Sequence, residues 1–234
     1  MSFPAPDRTR IKICGLTREH DVDAAVAAGV DAIGFVLYPK SPRYVNPARA
    51  AQLAAQLPPM VTPVLLFVNA SADEIAVASA GVPGACLQFH GDESAADCAA
   101  IAARCARPYW RAARIPVQGG DTFDLVKFAH DFASAQAVLL DAHVEGFGGG
   151  GKTFNWSLLP PSVNAHLVLS GGLTPANVTE GILQVRPRGL SLAVDVSSGV
   201  EAVGPDGNVL KGIKDPKKID QFVAAVRAAD RQPA

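Results

Sequence analysis

Short runs of aliphatic and β-branched residues recur along the chain, each followed by an Ala-rich stretch whose apolar positions repeat at helical spacing. The runs are Arg10–Ile13, Ala32–Val36, Val61–Phe67, Ala85–Phe89, Tyr109–Ala113, Ala137–Leu140, Leu167–Ser170 and Gly189–Val194. Helices are predicted over Arg18–Ala28, Pro47–Leu57, Ala72–Ala80, Ser94–Cys105, Phe123–Phe132, Pro175–Val185 and Pro216–Ala229. After the sixth run only a short stretch around Trp156–Leu159 precedes Pro160-Pro161. Asn46-Pro47, Thr174-Pro175 and Asp215-Pro216 each pair a capping side chain with a proline at the first helical position. Ser71 and Glu74 fit a capping box, and Gly29 and Gly81 stand where helices should stop.

Eight strand–helix units in 234 residues fit an α/β closed (β/α)8 TIM barrel, with the active site at the C-terminal strand ends. An open doubly wound sheet is the structural alternative. No linker or composition shift divides the chain, so one domain over 1–234 is expected, with loose termini at roughly 1–9 and 230–234.

Composition narrows the class. The chain is 49% hydrophobic and 18% charged, and Gly plus Pro make about a sixth of it, below the roughly one quarter that marks low complexity. A chain of this length buries about 70–75% of its unfolded surface, a full core without disulfide or metal staples. The longest strictly apolar run, Cys98–Ala103, falls far short of the roughly 20 residues of a membrane span. Pro4, Pro6, Asp7, Arg8 and Arg10 leave no apolar stretch for a signal peptide. Net charge is −1 with no basic block, which excludes nucleic acid as an expected partner. Cys14, Cys86, Cys98 and Cys105 form no C-x-x-C pair, and His20, His90, His130, His143 and His166 lack zinc-ligand spacing. A cytoplasmic protein with reduced thiols and no metal is expected, and a monomer, since no long apolar helix face demands a partner.

The candidate chemistry lies just after the strands. Gly171-Gly172 precede Thr174-Pro175, where free backbone N–H groups and a helix dipole would hold an anion. Ser197-Ser198-Gly199 offer a second set, and loops after strands 7 and 8 are the usual phosphate grip of this barrel. The bland alternative is a pair of glycines that merely permit a tight turn. Gly146-Phe147-Gly148-Gly149-Gly150-Gly151-Lys152-Thr153 satisfies P-loop spacing, and Leu192–Asp195 imitates the metal-holding strand of such an NTPase. A P-loop needs a substantial helix straight after Lys-Thr, and here two prolines intervene. A Gly-rich lid after the sixth strand is the better reading.

Cys14 ends a strand before Gly15, with Lys12 two residues earlier on the same face. A nearby cation favours the thiolate, the form that acts as base or nucleophile; the alternative is a small buried hydrophobe. Lys12 reads as an ion-pair partner, with Asp195 one candidate, or as a Schiff-base or acid lysine. Asp141 ends the sixth strand, and a closed lid would exclude water and favour its neutral form, suited to a general acid. Its alternative is a loop-capping carboxylate. Arg43, in a loop with Pro39 and Pro42, fits a bidentate clamp on a carboxylate, or an idle exposed arginine. Nothing in the pattern decides the role of His90.

Several segments together carry a family resemblance. They are Lys12-Ile13-Cys14-Gly15-Leu16-Thr17, Gly34-Phe35-Val36 with Tyr38-Pro39-Lys40-Ser41-Pro42-Arg43-Tyr44, and Gln88-Phe89-His90-Gly91. Gly149–Trp156, Leu169–Leu173 and Ala193–Glu201 continue the series. In this order and spacing they resemble the phosphoribosylanthranilate isomerases over nearly the whole chain. Phe89, Gly150 and Asn155 depart from the family pattern, and Val203–Asp215 is longer than in short members. The resemblance implies a cofactor-free Amadori rearrangement of a phosphorylated small molecule, N-(5′-phosphoribosyl)anthranilate, in tryptophan biosynthesis. It implies Asp141 as general acid, Cys14 as general base, and Arg43 on the anthranilate carboxylate. Gly171, Gly172, Ser198 and Gly199 would hold phosphate, with Asp195 near the reacting sugar. The rivals are a lysine-dependent aldolase using Lys12, an indole-forming synthase, and a non-catalytic phosphosugar-binding protein or barrel subunit.

Overall fold

The computed structural model describes residues 8–116, 123–143 and 153–232. In chain order β1 (Arg10–Cys14), α1 (Glu19–Ala27), β2 (Ala32–Val36), α2 (Pro47–Ala54), β3 (Thr62–Phe67) and α3 (Ala72–Ala80) are followed by β4 (Cys86–Phe89), α4 (Ala95–Cys105), β5 (Tyr109–Pro116) and α5 (Leu125–Asp131). Then come β6 (Ala137–His143), β7 (His166–Leu169), α6 (Val178–Val185), β8 (Ser191–Val196), β9 (Glu201–Val203), β10 (Val209–Lys214) and α7 (Pro216–Asp230). Strands β1 to β8 close into a parallel barrel, with β8 returning to β1 in a register that sets Lys12 beside Asp195. Closure removes the doubly wound alternative.

The strand runs are apolar at nearly every position because parallel strands here are covered on both faces. Odd and even positions nevertheless serve different layers. Ile11, Ile13, Ile33, Phe35, Leu65, Phe67, Leu87 and Phe89 pack outward beneath the helices in one large core. Cys14, Val36, Leu66 and Val68 cluster separately inside the barrel, as do Ala112, Leu139 and Val168. Lys12, Gln88, Asp141, Ser170 and Asp195 share the sequence parity of these interior residues. Alternation along each strand therefore aims the polar groups into the mouth.

Local signals account for most helix starts. Asn46 accepts from the Arg49 N–H ahead of Pro47, Asp215 accepts from Lys217, and Ser71 with Glu74 makes a reciprocal capping box. Gly29 takes the left-handed conformation expected past a helix end, at φ +82°, whereas Gly81 stays right-handed at −75°. The predicted start at Thr174-Pro175 is displaced: α6 begins at Val178, because the Asn177 side chain accepts from the Thr174 N–H at 2.8 Å and closes a turn first.

Of the expected Gly-rich lid, Gly146–Thr153, all but Thr153 lies outside the described residues. Beyond it a single 3₁₀ turn, Trp156–Leu158, precedes Pro160, so the helix a P-loop requires is not there. The β9–β10 hairpin, expected only as a longer loop, packs against the mouth through Glu201 and Lys214. At the edge of the expected loose termini, the Thr9 backbone and hydroxyl donate to the Asp230 carboxylate at 2.7–3.1 Å. Among the described residues, no helix is long and apolar enough to cross a membrane.

Candidate active site

The seam between β1 and β8 carries a buried ion pair. Lys12 Nζ donates to Asp195 Oδ1 at 2.9 Å, and the Ser170 hydroxyl donates to Oδ2 at 3.2 Å. Burial works to lower the Lys12 pKa, but the charge and hydrogen bond of Asp195, with Cys14 adding, prevail and hold it at about 12. A Schiff-base lysine must shed its proton, and this one is held in the charged form. Of the two readings of Lys12, the ion pair is the one the geometry carries.

Cys14 sits beside that pair, 4% exposed. A Cβ on Gly34 would fall 2.7 Å from Cys14 Sγ and 3.0 Å from Lys12 Nζ, so a glycine on β2 is what leaves room for both. Burial pushes the thiol up from its ordinary value, and Lys12 and Lys214 pull it down without prevailing. The expectation that a neighbouring cation keeps Cys14 ionised is thus corrected. Desolvation outweighs a lysine whose charge is already shared with Asp195.

Asp141 lies at the end of β6, with different company. His90 Nε2 is 2.9 Å from Asp141 Oδ2, and Gln88 Nε2 is 3.1 Å from His90 Nδ1. All three side chains are buried. Gly171 adopts φ +76°, and a Cβ there would fall 2.8 Å from Asp141 Oδ1 and 2.6 Å from the Ala142 nitrogen. Glycine at this position therefore serves the carboxylate as well as the turn.

Arg43 is buried, not idle. It packs over Gly15, where a Cβ would fall 2.6 Å from Arg43 Cδ. Its Nε and one terminal nitrogen grip Glu201 at 2.7 and 2.8 Å, so the bidentate edge faces a protein carboxylate. No hydrogen bond ties the other terminal nitrogen, Nη1, among the described residues. Glu201 also accepts from the Gly212 N–H at 2.8 Å and from Lys214 Nζ at 3.3 Å. Lys214 Nζ further donates to the Ser197 carbonyl at 2.9 Å, tying the hairpin to the loop after β8. Burial draws Lys214 down to about 8 despite Glu201. Burial works to raise Glu201, but Arg43 and Lys214 win and hold it below the usual carboxylate range.

The two Gly loops meet. A Cβ on Gly199 would fall 1.9 Å from the Leu173 carbonyl oxygen, so the loops after β7 and β8 touch through a position only glycine can fill. Gly171 and Gly172 are both left-handed, at φ +76° and +66°. Neither donates a backbone hydrogen bond among the described residues. Ser198 and Gly199 open a 3₁₀ turn, whose first N–H groups lack partners within the turn. Because α6 starts only at Val178, loop N–H groups rather than a helix dipole at Thr174 present positive potential here.

Residues 11–225 match the family model described as N-(5′-phosphoribosyl)anthranilate (PRA) isomerase. This chain belongs to that isomerase family. It is 60% identical over 227 residues to the N-(5′-phosphoribosyl)anthranilate isomerase of Methylibium petroleiphilum, covering 97% of this chain and 98% of the relative. The solved phosphoribosyl anthranilate isomerase of Thermotoga maritima superposes with a TM-score of 0.76 at 37% identity, over 94% of this chain and 99% of that one. A further solved isomerase, in complex with reduced 1-(o-carboxyphenylamino)-1-deoxyribulose 5-phosphate, has a TM-score of 0.69 at 34% identity, with coverages of 94% and 99%.

Within this isomerase the structure brings Lys12, Cys14, Asp195 and Ser170 into one cluster, and Arg43, Glu201 and Lys214 into a second that touches it through Gly15 and Ser197. Ser170, Glu201, Lys214 and the Gln88–His90 pairing are the parts that pattern reasoning missed. Gln88 carried a signal: a polar residue at an interior position of an otherwise apolar strand. Lys214 carried none, since a lysine beside Asp215-Pro216 reads as exposed.

Proposed function

We propose that the chain catalyses the Amadori rearrangement of N-(5′-phosphoribosyl)anthranilate to 1-(2-carboxyphenylamino)-1-deoxy-D-ribulose 5-phosphate in tryptophan biosynthesis, by general acid–base catalysis. The observation that carries this reading is a buried thiol and a buried carboxyl at interior strand ends flanking two touching Gly loops, in a chain of the isomerase family.

Asp141 gives its proton to the furanose ring oxygen as the C1′–O bond breaks, and the anilino nitrogen lone pair forms a protonated imine. Cys14, as thiolate, removes the C2′ proton, and the C–H electrons neutralise the imine to an enolamine. Protonation at C1′ with loss of the enol proton gives the ketone. Burial pushes the Cys14 thiol up in the free site, and the cationic imine beside the sulfur draws it back down, favouring loss of the thiol proton to solvent and leaving the thiolate as base.

Arg43 holds the anthranilate carboxylate through Nη1, the edge that Glu201 leaves open. The N–H groups of Gly171, Gly172, Ser198 and Gly199 hold the phosphate. Asp195 faces the reacting sugar and keeps Lys12 charged. The enzyme works as a cytoplasmic monomer, which sedimentation of the purified chain checks on the side of its size.

The reading is tested by restoring growth without tryptophan to a strain that lacks this isomerase, together with the anthranilate fluorescence of the purified reaction. Growth with turnover is expected; absence of both sinks the proposal. Borohydride trapping addresses the aldolase rival, and Lys12 is expected to stay unlabelled.

A further inference from the structure

Gln88 occupies an unusual position for a buried amide. Its side chain is wholly buried, its Nε2 meets His90 Nδ1, and among the described residues its Oε1 has no hydrogen-bond partner. A structural glutamine is normally held at both ends, because an orphaned acceptor away from water is costly. Among the described residues one partner, His90, orients the amide. The two ends of an amide are nearly identical in shape, so packing does not choose between them. The protonation of His90 does.

With Nε2 against Nδ1, the amide donates, and the ring proton must sit on Nε2, where it is donated to Asp141 Oδ2 at 2.9 Å. In that arrangement Asp141 is a carboxylate and the His90–Asp141 pair carries one negative charge. Turning the amide by half a revolution sets Oε1 against Nδ1, which must then bear a proton. The pair now holds one proton more, shared between Nε2 and Oδ2, and is neutral.

We propose that Gln88 is a positioning residue whose amide reverses with the proton load of the His90–Asp141 pair, accepting from His90 when the pair is loaded and donating to it once discharged. The inference rests on Asp141 being the acid of the rearrangement. Ring opening moves one proton from the pair to the furanose oxygen, the C1′–O electrons stay with that oxygen, and the pair passes from neutral to singly negative. The proton left on Nδ1 is exchanged through water for one on Nε2, the amide turns Nε2 onto Nδ1, and solvent returns a second proton before the next turnover.

The surrounding charges leave this assignment to His90. On β5, Arg111 is engaged by Glu93 and the Phe89 and Gly91 carbonyls, and Arg114 is paired with Asp92. Towards β8, Asp195 is paired with Lys12 and bonded by Ser170 from the end of β7, and Cys14 lies beyond on β1. Among the described residues, His90 is the titratable group bonded to Asp141.

The test is the pH dependence of kcat for the whole enzyme and for Gln88→Glu. A carboxylate fixed against Nδ1 favours the loaded pair, so the alkaline limb should move up by about one pH unit, with kcat lowered because discharge loses its donor. Unmoved limbs would mean that Gln88 only fills space, and the proposal falls. Should the variant fail to fold, nitrogen-15 spectra of His90 in the unaltered enzyme decide. Nδ1 should pass from unprotonated at high pH to protonated as the pair loads, and a single state throughout overturns the idea. Full turnover in Asp141→Asn would instead remove the acid assignment itself, an outcome separate from failure of the Gln88 coupling.

Discussion

The two sides of the barrel mouth handle charge in opposite ways. Around Cys14 lie Lys12, Arg43 and Lys214, yet each is already paired with Asp195 or Glu201, and burial still pushes the thiol up. Around Asp141 the bonded neighbours are His90 and, behind it, an uncharged amide. Nearness of a cation therefore says little about an acidic group until that cation's own partner is known. On the Cys14 side each cation is held by a carboxylate; on the Asp141 side, among the described residues, no partner holds the Gln88 carbonyl, which leaves the amide able to follow the proton load of the pair.

The contrast is tested first at its two ends. Cys14→Ala and Asp141→Asn should each lower kcat by about 10²–10⁴, as loss of a general base or acid does, while the circular dichroism spectrum stays that of the parent. Preserved turnover in either would dissolve the proposed division of labour. Next in size is Lys12→Met, which strands Asp195 in the core. It should cost about 3–5 kcal/mol in urea unfolding, and a loss below about 1 kcal/mol would show that the pair is not the clamp described.

Gly34→Ala drives a methyl against Cys14 Sγ and Lys12 and should cost about 1–3 kcal/mol together with a fall in kcat. A neutral result would mean that the β1–β2 pocket relaxes freely. Arg43→Ala should raise KM by about tenfold, the loss of a charge-assisted hydrogen bond to the substrate, while kcat changes less. A fall in kcat at constant KM would remove Arg43 from substrate binding.

The smallest effect is on pH-dependent stability. Lys214 titrates near 8 in the folded chain against 10.5 as its ordinary value, so between these pH values the unfolded chain binds more protons. Stability from this group accordingly rises from about pH 8 to 10.5, and Lys214→Met should remove that contribution, so that the urea midpoint of the parent gains on that of the variant as the pH is raised. Lys12, held at about 12, works the other way, its contribution being lost only above 10.5. The buried thiols of Cys14, Cys86 and Cys98 act in the opposite sense above about pH 9, so the difference between parent and variant is what decides, and a difference that stays constant from pH 7 to 10.5 would contradict the burial of Lys214.

Much of the architecture was legible because barrel strands and their helices announce themselves locally. The Ser71–Glu74 box and the Asn46 and Asp215 caps lie where the pattern sets them. Thr174-Pro175 misled because Asn177, three residues on, closes a competing turn through its side chain. The β9–β10 hairpin escaped notice because Val209, Leu210 and Lys211 are exposed and lack clean alternation. The candidate residues are legible in the pattern, with Asp195 among the candidates for Lys12, but most partners are not: Arg43 reads as a clamp on a substrate carboxylate, and its bidentate edge faces a glutamate 158 positions away.

Strand periodicity and Gly placement, both properties of neighbours along the chain, determined the barrel and which residues face its mouth. What the folded arrangement alone decided is the surroundings of those residues: Lys12 held charged by Asp195, the Cys14 thiol pushed up by burial, Arg43 tied to Glu201, and His90 joined to Asp141. Protonation and pairing depend on desolvation and on which charge arrives within about 4 Å, and those distances exist only once the barrel has closed.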